Sequence, residues 1–244
     1  MLWIAALTTA SAYELRTTDD GQEVRWDAWP VAWDHAPGKS ELPDGADDAL
    51  REAFSTWELQ GTPVSFAEGA PPAGVPKRDA DGENHVWTVR PWPVEYGSAL
   101  AMASAWADLE GNLVTFDIQI NGEVPWSVTG ASGAYDLQAA ITHEVGHVLG
   151  LEHTEISEAV MFPSTGMGTT DRRDLHADDI HAIEHLYPSF GRGDSEDPNP
   201  SSILTGSGCS TDARGGGSAA LLVVTTLFLR RRARRSLEAP CSRS

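Results

Sequence analysis

Down to Pro188 the apolar residues of this chain recur with two periods, and the changes of period mark out its elements. Leu50, Phe54 and Trp57 stand at helical spacing, which predicts an apolar face on a helix over residues 47–59. The run Leu42-Pro43-Asp44-Gly45 before it is turn chemistry, and Asp47 or Asp48 is placed to cap the first turn. Residues 68–82 are rich in proline, glycine and charge and read as a loop. Three strand-like pieces follow, at 86–89, 100–106 and 114–120. The last alternates, with Val114, Phe116, Ile118 and Ile120 on one side, and Asn121-Gly122 ends it in a turn. Asp136 is then positioned to cap a helix running to Leu149, and a second helix is expected over 177–186. Past Pro188 the composition changes to GRGDSEDPNPSS, a flexible linker. No internal repeat is found.

Composition refines this outline. At 244 residues with 41% hydrophobic positions and nine tryptophans, the chain can bury a substantial core. Its formal charge of −19 is unevenly spread, with 9 Lys and Arg against 31 Asp and Glu over residues 13–190. So acidic a body repels phosphate, which argues against a nucleic-acid partner. Both cysteines, Cys209 and Cys241, fall in the tail, so no disulfide can hold the body together. Residues 1–12 form an apolar run ending Ala10-Ser11-Ala12, a small-x-small cleavage signature that reads as a signal peptide. An exported protein with a cysteine-free body is the expectation.

The chemistry is concentrated in His143-Glu144-Val145-Gly146-His147-Val148-Leu149-Gly150-Leu151-Glu152-His153. On a helix His143 and His147 lie one turn apart, so their imidazoles point the same way. With His143 at 0°, His147 falls at about 40° and Glu144 at about 100°. Leu137, Ile141, Val145, Val148 and Leu149 cluster on the opposite side, which seats the helix in a core. Continuing the helix would carry His153 away from the other two. Gly150 tolerates positive φ and is placed to end the helix and turn the chain back. Three neutral imidazoles leave one tetrahedral position open, the catalytic pattern of zinc, and Glu144 beside them is placed to act as general base. From this chain's composition the whole pattern would arise by chance roughly once in twenty thousand such chains.

This extended motif resembles that of the metzincin zinc peptidases. Ser157-Glu158-Ala159-Val160-Met161-Phe162-Pro163 resembles the Met-turn of that group, which implies that Met161 and Pro163 support the site without ligating the metal. The stretch from Leu175 to Pro188 resembles the C-terminal helix of the matrixins. Asp117-Ile118-Gln119-Ile120-Asn121, Tyr135-Asp136-Leu137 and Ala53-Phe54-Ser55-Thr56-Trp57 are similar to other matrixin segments. The resemblance spans about residues 24–188. It implies an α+β fold, a twisted mixed β-sheet with two helices above the cleft and a small C-terminal subdomain carrying the Met-turn and a helix. The implied activity is zinc-dependent endopeptidase, one catalytic Zn2+ per chain, acting on a protein or peptide substrate.

The chain departs from the matrixin pattern in several places. No cysteine precedes Cys209, so a cysteine switch is excluded, and Thr154 follows the third histidine where matrixins commonly carry Ser. The insertion that carries structural zinc and calcium in larger relatives is truncated between Asn84 and Trp106. His85, alone in that stretch, is expected to be a surface or strand residue. His35, His176, His181 and His185 have no partner at convincing ligand spacing and read as polar positions. Asp108-Leu109-Glu110-Gly111-Asn112 is either a plain acidic turn or a Ca2+ ligand loop.

In the tail, Cys209 lies in a glycine- and serine-rich stretch before a 12-residue apolar run over 218–229 and the cluster Arg230-Arg231-Arg232-Ala233-Arg234-Arg235. The run is shorter than the ~20 residues that span a bilayer, and the arginines fit a cytoplasmic stop. This arrangement resembles the MYXO-CTERM sorting signal, which implies tail removal and attachment at the cell surface. The expected organisation is a signal peptide over 1–12, a catalytic domain over 13–190, a linker over 191–208 and a sorting or membrane-anchor segment over 209–244. A monomer is expected. The rival reading is a surface adhesion module that keeps the zinc site without turnover, against which the intact Glu144 argues.

Overall fold

The computed structural model describes residues 12–36 and 42–188. The signal-peptide, linker and tail assignments therefore lie outside the described residues, apart from Ala12, the last residue of the expected signal peptide. Strands β1 (Val31–Ala36), β2 (Phe66–Glu68), β3 (His85–Val89), β4 (Ala101–Ala107) and β5 (Leu113–Asn121) form one sheet in the order β2-β1-β3-β5-β4. All neighbours are parallel except β4, which runs antiparallel to β5 at the edge. Helices α1 (Ala46–Ser55) and α2 (Leu137–Val148) pack on each other, and α2 also packs on β4. A two-stranded pair, β6 (Trp126–Ser127) with β7 (Tyr135–Asp136), leads into α2, and α3 (Ala177–Leu186) closes the fold. The mixed sheet, two helices and small C-terminal part agree with the expected α+β architecture.

The core forms where the helical and strand periodicities meet. Leu50, Phe54 and Trp57 are buried, and Phe54 stacks on Trp33 of β1 with ring centroids 4.0 Å apart. Phe116, Ile118 and Ile120 of β5 meet Leu137, Ile141, Val145 and Leu149 of α2 and its cap in the same cluster. Burying side chains of this size is worth about 1.5–3 kcal/mol each before entropy is counted.

Three expectations need correction. Helix α1 starts at Ala46 after Gly45, which adopts φ 86°, and no side chain caps it. Asp47 and Asp48 instead sit inside the first turn, where negative charge suits the helix dipole, and Asp48 pairs with Arg51. The helix also stops at Ser55, short of the predicted Leu59. Val114 is 40% exposed, whereas Phe116, Ile118 and Ile120 are fully buried. His85, by contrast, is a strand residue as expected, the first of β3, and is buried at 3% exposure. One cause underlies the burial of His85 and of β5's polar side chains: the second face of the sheet is covered too. Thr115, Asp117, Gln119 and Asn121 on β5 are buried. Thr115 Oγ1 donates to the Glu83 carbonyl, Asp117 accepts the Asp79 N–H, and Gln119 accepts the Tyr96 hydroxyl. The loop before β3 and the turn at Val94–Tyr96 thus roof a polar layer.

Candidate metal centre

Helix α2 begins as its sequence dictates. The Asp136 side chain accepts the Ala139 N–H at 2.9 Å, and Arg173 grips the same carboxylate through Nε and a terminal nitrogen at 2.9 and 2.6 Å. The far end stops at Gly150, which has φ 97°. Leu151 N–H reaches the Gly146 carbonyl at 3.0 Å and Gly150 N–H the His147 carbonyl at 3.1 Å, the paired bonds of a Schellman cap. A Cβ at position 150 would overlap the Val24 carbonyl oxygen, so space as well as φ demands glycine.

The reversal brings His153 to the helix face that carries His143 and His147. The three rings lie 4.8–5.2 Å apart between centroids, and one ligand atom from each falls within 4.8 Å of the others. His143 Nε2 is 3.2 Å from His153 Nε2. Each helical imidazole is oriented from behind: Nδ1–H of His143 donates to the Val160 carbonyl at 2.7 Å, and that of His147 to the Leu151 carbonyl at 2.8 Å. Those bonds commit Nδ1 as donor and leave both Nε2 lone pairs for a metal. Burial pushes His143 down to about 4, helped by His153, and holds His147 well below its ordinary value. His153 is lowered by burial as well. Neutral imidazoles are the state a cation requires, so three nitrogens with this spacing and protonation fit zinc.

Glu144 is buried beside them at 9% exposure. Its Oε2 accepts the Ala103 N–H from strand β4 at 2.7 Å, which aims the carboxylate at the sheet edge. Burial pushes its pKa up to about 7, against the opposing pull of that N–H and of Arg16. A dication on the adjacent imidazoles would act in the same direction as Arg16 and favour the carboxylate.

Met161 is 2% exposed and packs against Gly146, where a Cβ would overlap its sulfur. It lies under the helix between the two histidines. Pro163, by contrast, is exposed, and Arg172 donates to the Phe162 carbonyl beside it at 3.2 Å. Asp108 accepts the N–H groups of Glu110 and Asn112 and the Asn112 side-chain amide, the hydrogen bonds expected of an acidic turn. His35 pairs with Asp47, His185 with Glu23, and His176 caps α3 by accepting the Asp178 N–H.

Several participants escaped the sequence reading. The Val160, Leu151 and Ala103 backbone groups have no side-chain signature at all. Asp179 does have one: it stands three residues after the capping His176, the acidic position of a capping box. Its carboxylate accepts Val160 N–H at 2.9 Å and Met161 N–H at 3.1 Å, fixing the turn whose carbonyl orients His143. Burial raises its pKa while those donors oppose the rise.

Comparison with known proteins agrees with this geometry. The chain is 39% identical over 82 residues to Metalloendoproteinase 5-MMP of Arabidopsis thaliana, covering 33% of this chain and 22% of the relative. It is 31% identical over 150 residues to Matrix metalloproteinase-26 of Homo sapiens, covering 59% and 52%. It is 29% identical over 144 residues to Karilysin of Tannerella forsythia, covering 58% and 28%. The chain thus matches about half or less of the length of these relatives. The sequence profile of the Matrixin family matches residues 25–188, all three helices and all five strands of the sheet among them, and the chain belongs to that family.

Proposed function

We propose that this protein is an exported zinc endopeptidase in which His143, His147 and His153 hold the metal and Glu144 is the general base. The observation that carries the reading is the convergence of three neutral imidazoles, two with Nδ1 committed to backbone carbonyls, beside a buried carboxylate on the same helix. Zinc held there supplies Lewis acidity toward a water molecule and the scissile carbonyl. Glu144 takes the proton from the attacking water and passes it to the leaving amine, and the Ala103 N–H holds the carboxylate in place for both transfers. Gly150 and Met161 support the ligands, the first by turning the chain and the second by packing under α2. Pro163 serves the Met-turn from its exposed side. A peptide substrate adds in extended form to β4, the edge strand beside Glu144.

Glu144→Gln tests the assignment. It should retain zinc and the thermal stability of the wild type while hydrolysis falls by ~10²–10⁴-fold. Cleavage of a peptide library by the variant at the wild-type rate would refute the role of Glu144. A wild type inert toward every peptide would favour the adhesion reading.

The rest of the proposal concerns organisation. Residues 1–12 act as a signal peptide, 13–190 as the catalytic domain and 191–208 as a linker, with 209–244 a processed sorting signal that leaves the protein at the cell surface as a monomer. Among the described residues no helix is long and apolar enough to cross a membrane. The mature protein recovered from its host surface should lack the Arg230–Arg235 segment by mass spectrometry. Its intact recovery there would rule out processing.

A further inference from the structure

The polar layer on the second face of the sheet contains a buried ladder. By strand register, Asp34 of β1 lies beside His85 of β3, which lies beside Asp117 of β5. Residues paired this way project to the same face. His85 and Asp117 are 3% and 0% exposed. The loop entering β3 adds two more carboxylates, Asp81 and Glu83, whose side chains are exposed. Ligand atoms of Asp81, Glu83 and His85 all fall within 4.8 Å of one another.

The histidine is oriented as a ligand would be. Its Nδ1 is 2.9 Å from Asp34 Oδ1, and its Nε2 faces Glu83 Oε2 at 3.2 Å. With Nδ1–H donated to Asp34, Nε2 is the nitrogen that faces the loop carboxylates, and a cation there would take the place of the Nε2 proton shared with Glu83. A carboxylate behind an imidazole whose other nitrogen faces open donors is the arrangement that serves metal-bound histidines. Asp117 supplies a second, independent sign. Its Oδ2 accepts the Asp79 N–H at 3.0 Å, while its Oδ1 is buried with no hydrogen-bond partner. It sits within electrostatic reach of both His85 and Asp81. A buried carboxylate oxygen with no donor is costly unless a positive charge stands close.

We propose that Asp81, Glu83 and His85 form a second divalent-cation site of the zinc type, with Asp34 positioning His85 and Asp117 balancing charge from beneath. One imidazole with two carboxylates suits zinc, whereas calcium takes oxygen donors alone. The site is built by the loop before β3 and is separate from the three-histidine centre. Bound metal would pin that loop over the polar layer.

Zinc counting tests the site without relying on activity. The intact chain is stripped with a chelator, reloaded with zinc alone, freed of excess and assayed for metal content. Wild type should hold two equivalents. The D81N/E83Q double variant changes only exposed side chains, so it should fold normally by circular dichroism and hold one. His147→Ala should keep the equivalent bound in the loop, and Asp34→Asn should weaken that equivalent ~10–100-fold. If D81N/E83Q binds as much zinc as wild type, the proposal is overturned and His85 is a structural ion-pair partner. Stabilisation of the loop by added calcium, with no second zinc, would also overturn it. A His147→Ala variant with undiminished zinc would instead count against the three-histidine centre and leave this site standing.

Discussion

Gly150 carries two demands at one position. Its φ of 97° is disfavoured for any residue with a Cβ, and that Cβ would also meet the Val24 carbonyl and crowd a Leu186 methyl at 3.3 Å. The conformational part alone costs roughly 1–2 kcal/mol. Gly150→Ala should therefore lose at least that much stability in chemical denaturation, and zinc content should fall because His153 follows directly on the turn. A variant as stable as wild type with full zinc would mean that the reversal does not depend on this residue. Gly150 was legible in the sequence because helix geometry alone shows that His153 needs a reversal. Gly146, four residues earlier, was not. Its requirement comes from Met161, fifteen positions away in sequence, and from Trp57, whose ring carbon lies 3.0 Å from where a Cβ would stand.

The end of α2 shows how neighbouring elements complete a helix. Its last carbonyls have no intrahelical partner and must find others. Trp26 Nε1 donates to the Val148 carbonyl at 3.0 Å, the Tyr187 hydroxyl to the Leu149 carbonyl at 2.7 Å, and Arg16 N–H to the Gly150 carbonyl at 2.8 Å. Tyr187 also accepts the Trp26 N–H at 3.1 Å, so one buried hydroxyl joins the chain after α3 to the N-terminal segment and helix α2. Burial raises its pKa beyond the ordinary phenol range. Tyr187→Phe keeps the ring and strands a buried carbonyl and a buried amide, a loss of about 1–3 kcal/mol. Urea denaturation should show it as a lower midpoint with unchanged slope. An unchanged midpoint would mean that water replaces the hydroxyl. Elements with strong periodicity, α2, α3 and β5, were legible from sequence, because their own apolar residues define the buried face. The start of α1 was not, since Gly45 begins it through backbone conformation and leaves Asp47 and Asp48 inside the first turn. The cap of α3 was hidden for another reason: histidine is not among the preferred cap residues, and His176 serves only because its ring nitrogen reaches the Asp178 N–H.

At the scale of the whole molecule, charge is the property that residues and elements do not reveal singly. Residues 13–190 hold 31 acidic against 9 basic side chains. Several of the acids are absorbed internally, Asp136 by Arg173 and Asp179 by backbone donors, and these add little to the outer field. Most of the rest stand on the surface, where a strongly negative field attracts cationic segments and repels anionic ones. The β4 edge, proposed above to receive the substrate, lies within that field, so encounter with substrate should depend on substrate charge before any direct contact is made. Matched peptides that share the cleaved bond but carry flanking lysines or flanking glutamates isolate this effect. At an ionic strength of about 0.01 M, where screening extends over roughly 30 Å, kcat/KM for the lysine-flanked peptide should exceed that for the glutamate-flanked one by ~10-fold or more. Near 1 M salt the screening length contracts to about 3 Å, and the ratio should fall toward one. Because the field acts on approach, kcat should change less than KM across the series. A ratio that persists at high salt would place the discrimination in direct contacts at the cleft, and equal rates at low salt would show that the surface charge plays no part in substrate capture.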